Sequence, residues 1–302
     1  MSCKKPNIGG QAVIEGVMMR APKKFVIAVR KSEEEIVLKK EEVKIDSNRL
    51  FKKPLIRGLI ALYDALILGI RALNFSAYHS TGEGEEHVSK WAMFLSMATG
   101  IGLGLLLFIY LPLQVTELSK YVWPQVEHSA LLYNGIDGIV RVIFFVIYVW
   151  AISFMKDIQR VFQYHGAEHK AIFTYEQGLD LTVENAREQS RFHPRCGTSF
   201  LIILMLVCIM VFSLIPNDAH FLIKLGGRLV FVPVIAGISY EILKLSGKYF
   251  KNPIVKLLIL PGLLVQKITT QEPDDEQLEV AIISIKASLD MEIPEEGITV
   301  VA

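Results

Sequence analysis

The sequence predicts a mainly α-helical, polytopic membrane protein with a small β-rich segment at its N-terminus. Long uncharged apolar runs alternate with strongly charged stretches in a chain of 302 residues, of which 52% are hydrophobic. Residues 11–45 instead have the β-branched composition of strands. The formal net charge of +1 offers no electrostatic basis for binding nucleic acid.

Residues 1–50 are predicted to form a cytosolic β-rich segment. The stretches AVIEGVMM, FVIAVR and EIVLKKEEVKI are separated by turn-like residues, which predicts a meander of two or three strands. The first residues lack the apolar core and cleavage site of a signal peptide, so this segment is expected to remain in the cytosol. Cys3, Cys196 and Cys208 are too few and too scattered for a disulfide framework.

Residues 51–90 are predicted to contain an amphipathic interfacial helix followed by a linker. The helix, from Pro54 to Tyr78, is apolar but carries Arg57, Asp64 and Arg71 at seven-residue spacing. Seven residues are about two helical turns, so the three charges form one stripe. We therefore expect this helix to lie at the membrane interface or to dock on other helices rather than to span.

Residues 91–268 are predicted to form a transmembrane bundle of about four spans. The spans are expected near residues 91–115, 139–156, 197–217 and 221–243. The first has 25 residues without a charge, enough to cross a hydrocarbon core of about 30 Å. Lys224 and Arg228 interrupt the last and are expected to snorkel to headgroups. The run from Ile254 to Ile268 is short and contains Pro261, which predicts an interfacial or re-entrant segment.

The distribution of Lys and Arg predicts that both termini are cytosolic. Basic residues are frequent before the first span and in the loop 156–196, whereas residues 116–138 contain only Lys120. The last region, residues 269–302, is predicted to begin as a helix capped by Thr270, with Pro273 in its first turn. An apolar stripe on that helix has to dock on another part of the protein.

A metal-binding motif is predicted in the cytosolic loop 156–197. His165, Glu168 and His169 form the pattern H-x-x-E-H, and on a helix continuing to Gly178 they share one face. Two imidazoles at this spacing can bind one metal ion, and a glutamate that is spared from ligation can accept a proton from water. Glu168 is therefore the predicted general base.

The segment RFHPRCG, residues 191–197, adds His193 and Cys196 where the third span is expected to leave the cytosol. Together with His165 and His169 they form a plausible tetrahedral set, for which zinc is the most suitable divalent metal. Further candidates for the site are Glu241, Glu15, Arg191, Arg195 and Lys170. The three cations are candidates for stabilising an oxyanion or holding a phosphate. The alternative is a hydrogen-bonded polar lid without a metal.

Four stretches resemble the bacterial DUF1385 family. They are GGQAVIEGVMMR at 9–20, YHGAEHKAI at 164–172, SRFHPRCGTSFL at 190–201 and TTQEPDDEQLEVAI at 269–282. The resemblance extends over almost the whole chain. It implies a multi-pass bacterial membrane protein of uncharacterised function, of a kind sometimes described as a metal-dependent enzyme.

Two functions are left open by the sequence. The first is a zinc hydrolase at the cytosolic face of the cytoplasmic membrane, in which His165, His169 and either His193 or Cys196 hold the metal. The second is a non-catalytic scaffold or assembly factor, in which the His/Cys cluster is structural and the cytosolic segments bind a protein partner. An open metal position beside a free Glu168 favours the enzyme, and a closed ligand shell favours the scaffold. The lipid bilayer is the expected environment in both, and a homo-oligomer is compatible with either.

Overall fold

The computed structural model describes residues 6–43, 53–80, 90–214, 220–249 and 252–301, which form a mainly helical protein with one small sheet. The strands are β1 Gly9–Val13, β2 Gly16–Arg20, β3 Lys24–Arg30, β4 Ile36–Glu42 and β5 Ile298–Val301. The first five helices are α1 Ile56–Ser80, α2 Lys90–Leu105, α3 Leu111–Val122, α4 Gln125–His128 and α5 Ala130–Ile152. The others are α6 Lys156–Gln177, α7 Val183–Arg187, α8 Gly197–Phe212, α9 Phe221–Lys248, α10 Pro253–Thr269 and α11 Asp275–Ser288.

The sheet has the strand order β1-β2-β3-β4-β5. The first four strands are antiparallel neighbours, as a meander requires, and β5 pairs with β4 in parallel. The predicted N-terminal β-segment is confirmed, but it has four strands because AVIEGVMM folds into a hairpin. Glu15 adopts a φ of 50° at the turn, a backbone conformation that the strand-like composition did not indicate.

Helix α11 supplies the expected apolar stripe and packs on the sheet and on α6. Leu278, Ala281 and Ile285 are fully buried in this core. The predicted cap at Thr270 is wrong, because the helix starts at Asp275 with Asp274 as its N-cap. The side chain of Asp274 accepts from the backbone N–H of Gln277, whose side chain bonds back to the Asp274 backbone in a capping box.

Helix α1 forms as predicted and connects the sheet to the helical bundle through its charged stripe. Arg57 pairs with Glu241 of α9, Asp64 lies 3.5 Å from Arg20, and Arg71 lies 3.6 Å from Glu41. Gly58 lies against Gly237 of α9, where a Cβ atom would be 3.1 Å from the Gly237 Cα. The three charges of the stripe are therefore paired with residues of the sheet and of α9, while Asp64 and Arg71 remain partly exposed.

Three apolar segments among the described residues are long enough to cross a bilayer. They are Phe94–Val122, Ala130–Ile152 and Leu222–Ser246. The first contains α2, a π-helical turn at Leu106–Tyr110, and α3. Helix α8, expected to be a span over 197–217, has 16 residues. It is about 24 Å long and so shorter than the three segments; residues 215–219 lie outside the described part.

Two further expectations for the bundle are corrected. Lys224 and Arg228 are buried and paired with Glu117 and Asp137, at 2.5 and 2.9 Å, so neither snorkels to a headgroup. Helix α5 also does not continue to Gly178. Helix α5 ends at Ile152 and α6 starts at Lys156, because Met155 between them adopts an extended conformation. The cap at Gly178 itself is present, with a φ of 81°.

Candidate metal centre

Helix α6 carries the H-x-x-E-H motif on its buried face. His165, Glu168 and His169 are neighbours there because residues three and four apart share a helix face. Cys196 is the N-cap of α8, and its Sγ atom accepts from the backbone N–H of Thr198 at 3.4 Å. The potential ligand atoms of His165, His169 and Cys196 all lie within 4.8 Å of one another.

Backbone carbonyl groups fix the orientation of both imidazoles. His165 Nδ1 lies 2.8 Å from the Thr269 carbonyl oxygen, and His169 Nδ1 lies 2.5 Å from that of Arg191. A carbonyl oxygen only accepts, so each Nδ1 carries a proton, and in the neutral form of each ring Nε2 has a free lone pair. Metal-binding histidines are commonly oriented by such a second hydrogen bond.

The two Nε2 lone pairs converge on a single thiol. His165 Nε2 lies 3.2 Å from Cys196 Sγ. Burial lowers the pKa of His169, which disfavours a second proton on its ring. One S–H group cannot donate to two acceptors, so the three groups together have more lone pairs than protons. A cation held between them would satisfy all three.

His193, the other predicted ligand, lies beside this group, but both of its ring nitrogens face other partners. Its Nδ1 accepts from the backbone N–H of Arg195 at 3.2 Å, and its Nε2 lies 3.4 Å from a Glu176 carboxylate oxygen. Both nitrogens are therefore engaged. The ring packs against Phe173, with centroids 4.5 Å apart. Burial lowers the pKa of His193 to about 4, so the ring is neutral at physiological pH.

Glu168 is buried where strand β1 crosses α6. It accepts a hydrogen bond from the backbone N–H of Gly10. A Cβ atom at Gly10 would lie 2.9 Å from Glu168 Cδ, so a glycine is needed for this approach. Burial raises the pKa of the Glu168 carboxyl group, and the nearby His165 and His193 oppose this shift.

A cavity of about 340 Å³ connects these groups. It lies between β1, α6 and the start of α8. The predicted site residues that line it are His165, Glu168, His169, His193, Arg195 and Cys196. Arg195 forms an ion pair with Glu176, so its charge is already compensated. The potential ligand atoms of His165, His169 and Cys196 therefore border a space of small-molecule size.

The other candidate residues are engaged elsewhere. Glu15 pairs with Arg160 rather than reaching the site. Glu241 pairs with Arg57, so the expectation that it joins the His/Cys group is not met.

Two of the three candidate cations also lie away from the cavity. The amino group of Lys170 lies 2.9 Å from both Glu272 and the Arg187 carbonyl oxygen. Arg191 donates to the Thr270 carbonyl oxygen. Both side chains hold the surrounding segments, which leaves Arg195 as the predicted cation that lines the cavity.

The end of α10 supports the site in a way that the sequence did not indicate. Besides the Thr269 carbonyl group, it provides Gln266, whose side chain accepts from the His193 N–H at 2.8 Å. The same side chain donates to the His193 carbonyl oxygen at 2.9 Å and to Ser199 at 3.2 Å. The stretch TTQEPDDEQ, which carries part of the family resemblance, begins at Thr269, but Gln266 lies before it and has no motif of its own.

The sequence comparisons agree with that resemblance. A family model described as protein of unknown function (DUF1385) matches residues 53–291. The chain belongs to the DUF1385 family. It is 38% identical to the uncharacterized protein YqhQ of Bacillus subtilis (strain 168), over 95% of this chain and 93% of that protein. No solved structure matches the chain. Since the DUF1385 description names no activity, function has to be inferred from the geometry of the site.

Proposed function

We propose that this DUF1385 protein is a zinc-dependent hydrolase at the cytosolic face of the bacterial cytoplasmic membrane. The observation that carries the proposal is the convergence of His165, His169 and Cys196 on one point at the wall of a cavity that Glu168 also lines. Two nitrogen lone pairs and one thiol at this point form a donor set without enough protons to satisfy it.

The donor set fits zinc. Bond lengths of about 2.0–2.1 Å to nitrogen and 2.3 Å to sulfur place tetrahedral ligand atoms roughly 3.3–3.6 Å apart. The 3.2 Å between His165 Nε2 and Cys196 Sγ is close to that value, and the third atom lies within 4.8 Å. Three protein ligands leave the fourth position for water, as in catalytic rather than structural zinc sites.

Hydrolysis at this site assigns separate roles to the residues around the cavity. A zinc ion held here would acidify a bound water and polarise the group under attack. Glu168 accepts the proton of the attacking water and delivers it to the leaving group, while the water oxygen bonds to the electrophilic centre and the bond to the leaving group breaks. The Gly10 N–H holds the Glu168 carboxylate in place.

Metal analysis tests the ligand set. We expect about one zinc ion per chain, the stoichiometry of a single tetrahedral site, in protein purified from membranes. His165→Ala, His169→Ala and Cys196→Ser should each lose the metal. His193→Asn should retain it, because Asn can still accept from the Arg195 N–H. Equal metal content in all four variants would refute the site.

Glu168→Gln then separates catalysis from structure. The amide has the size of the carboxylate but accepts no proton, and loss of a general base costs typically 10²- to 10⁴-fold in rate. We expect a stable protein that retains its metal but fails to complement a deletion strain. Membrane levels of the protein, measured in the same cells, show whether failure reflects lost function or lost protein.

A structural role is the second candidate, and the cross-linking of the site favours it. The carbonyl groups of Thr269 and Thr270 at the end of α10 accept from His165 and Arg191 of the loop 156–197, so a metal here would also pin this loop to the bundle. Full complementation by Glu168→Gln, combined with loss of protein in the ligand variants, would establish this scaffold role, since metal-binding energy is then folding energy.

The proposed orientation places the metal centre in the cytosol. The three long apolar segments and the basic loop 156–196 support it. With a membrane-impermeant maleimide, Gln177→Cys should be labelled only in permeabilised cells. His128→Cys, in the segment expected outside, should be labelled in intact cells. The reverse pattern would overturn the orientation and the cytosolic site.

A further inference from the structure

The cavity at the metal centre has a polar end and an apolar end. The ligand atoms and Glu168 form the polar end. Val161 and Phe162 line it one turn before His165 on α6, and Leu201 lines it just over one turn after Cys196 on α8. Helix α6 follows the apolar segment Ala130–Ile152, and α8 is itself uncharged and apolar. The apolar end therefore lies on the bundle side of the ligands.

The same end opens onto the apolar surface of the bundle. On the sheet side, the lining residues Ile8 and Ile172 are 6% and 3% exposed, and Gly9 at the start of β1 is exposed. Leu201 is 39% exposed, and Gly197 beside it is also exposed. A molecule entering past Leu201 would come from the apolar surface of the bundle.

The charges around the cavity do not favour a soluble polyanion. Among the described residues that line the cavity, one is a Lys or Arg, namely Arg195. The carboxylate of Glu176 compensates its positive charge. Apolar contact thus remains as the main source of affinity beyond the metal. A volume of about 340 Å³ lies at the lower end of the roughly 300–1,000 Å³ of small-molecule sites. It admits a reacting group and a short length of chain.

We infer that the substrate is a membrane amphiphile that enters from the bilayer past Val161, Phe162 and Leu201. Its reacting group meets the metal centre, and its apolar chain lies along the exposed face of α8 near Leu201. This inference rests on the proposed hydrolase function. It specifies the class of substrate as lipid-like and excludes small polar metabolites.

Hydroxamate probes test the inference on cobalt-substituted full-length protein in lipid nanodiscs. Acetohydroxamate binds through its two oxygens and requires only an open metal position, whereas octanohydroxamate adds six carbon atoms that can occupy the apolar end. Binding is read from the visible absorption of cobalt. After correction for partitioning into the same nanodiscs, we expect octanohydroxamate to bind about tenfold more tightly or better, because each buried methylene contributes about 0.8 kcal/mol.

Two matched variants on α8 locate the source of that gain. Leu201→Trp should fill the mouth and abolish the gain while acetohydroxamate binding is retained. Leu206→Trp, at a residue that is 37% exposed but does not line the cavity, should keep the gain. Val161→Trp provides a second mouth variant in case Leu201→Trp does not fold, and acetohydroxamate binding identifies an intact centre in each.

The outcomes distinguish the two proposals. If acetohydroxamate leaves the cobalt spectrum of the parent protein unchanged, the open metal position is refuted, and the substrate class with it. If acetohydroxamate binds but the alkyl chain of octanohydroxamate gives no gain in affinity, or gives the same gain in all variants, the metal centre stands. The amphiphile is then excluded, because the chain makes no contact with the cavity.

Discussion

Two clusters of buried polar side chains differ in whether their polar atoms are satisfied by the protein itself. In the bundle, Asp137 accepts from Arg141 Nε at 2.8 Å and from Arg228 Nη1 at 2.9 Å. Arg141 also donates at 2.5 Å to the Phe108 carbonyl oxygen in the π-helical turn, where the regular helical bonding pattern is interrupted. Nearby, Glu117 accepts from Lys224 at 2.5 Å and from the Tyr133 hydroxyl at 2.7 Å.

The His/Cys cluster has the opposite character. Its Nδ1 atoms are satisfied, but two Nε2 lone pairs and one thiol converge beside a cavity. A cluster closed on itself holds helices together, whereas a cluster with surplus lone pairs has acceptors left over for a further ligand. Burial of polar groups alone therefore does not indicate a functional site, and the balance of donors and acceptors separates the two cases.

The largest effect is expected when the shared carboxylate of Asp137 is removed from the closed cluster of the bundle. Asp137→Leu leaves Arg141 and Arg228 buried without their shared carboxylate, and breaking a buried pair in this way costs about 3–5 kcal/mol. We expect a large fall in the thermal unfolding midpoint in detergent. The double variant Asp137→Leu/Arg228→Leu should recover part of the loss, because one unpaired cation is removed. A single variant as stable as the parent would show that the network does not hold the bundle.

The sequence predicted the two clusters unequally well, for physical reasons. His165, Glu168 and His169 were predictable because helical spacing alone places them on one face, and Cys196 because the two apolar segments fix its depth. The roles of His193, Lys224 and Arg228 were not, since they depend on partners 17 to 107 positions away. The role of the Thr269 carbonyl group could not be predicted from the sequence, because every residue has a backbone acceptor and no side chain marks this one.

The fold shows the same division. Strand and helix composition predicted the N-terminal sheet, α1 and the apolar helices, whereas the addition of β5 next to β4 joins the two ends of the chain. Pairing between strands so far apart depends on tertiary packing and leaves little local pattern. Glu15 likewise turns the first hairpin at a positive φ, which its residue type does not favour.

A second prediction concerns His193, which adjoins the open cluster but has partners for both of its ring nitrogens. Replacing it by a residue that does not titrate changes how stability depends on pH. Its folded pKa of about 4 lies below the unfolded value of roughly 6.5, so between these values the unfolded state binds more protons. The folded state should lose about 1.4 kcal/mol per pH unit as pH falls through this window, or about 3 kcal/mol by pH 4.

Unfolding midpoints measured against pH in the presence of a chelator test this, since the chelator removes the separate effect of metal release. His193→Asn keeps an acceptor for the Arg195 N–H but does not titrate, so its stability should fall less steeply below pH 6.5 than that of the parent. Parallel curves for the two proteins would contradict the neutral, buried state of His193.

The smallest expected effect concerns the strand that covers the open cluster. A Cβ atom at Gly10 would lie 2.9 Å from the Glu168 side chain, so Gly10→Ala has to displace that carboxylate. Gly9→Ala is the matched control, because a Cβ there meets no atom within 4 Å. Since the atoms that must move belong to a side chain, we expect Gly10→Ala to lower the free energy of unfolding by about 1 kcal/mol, at the lower end for overpacking, and Gly9→Ala to leave it almost unchanged.

The zinc content should be unchanged in both variants, as neither residue touches a ligand, whereas complementation should fail for Gly10→Ala alone. Equal function of the two variants would show that the position of Glu168 does not matter, and the cluster would then resemble the closed network of the bundle in serving structure only.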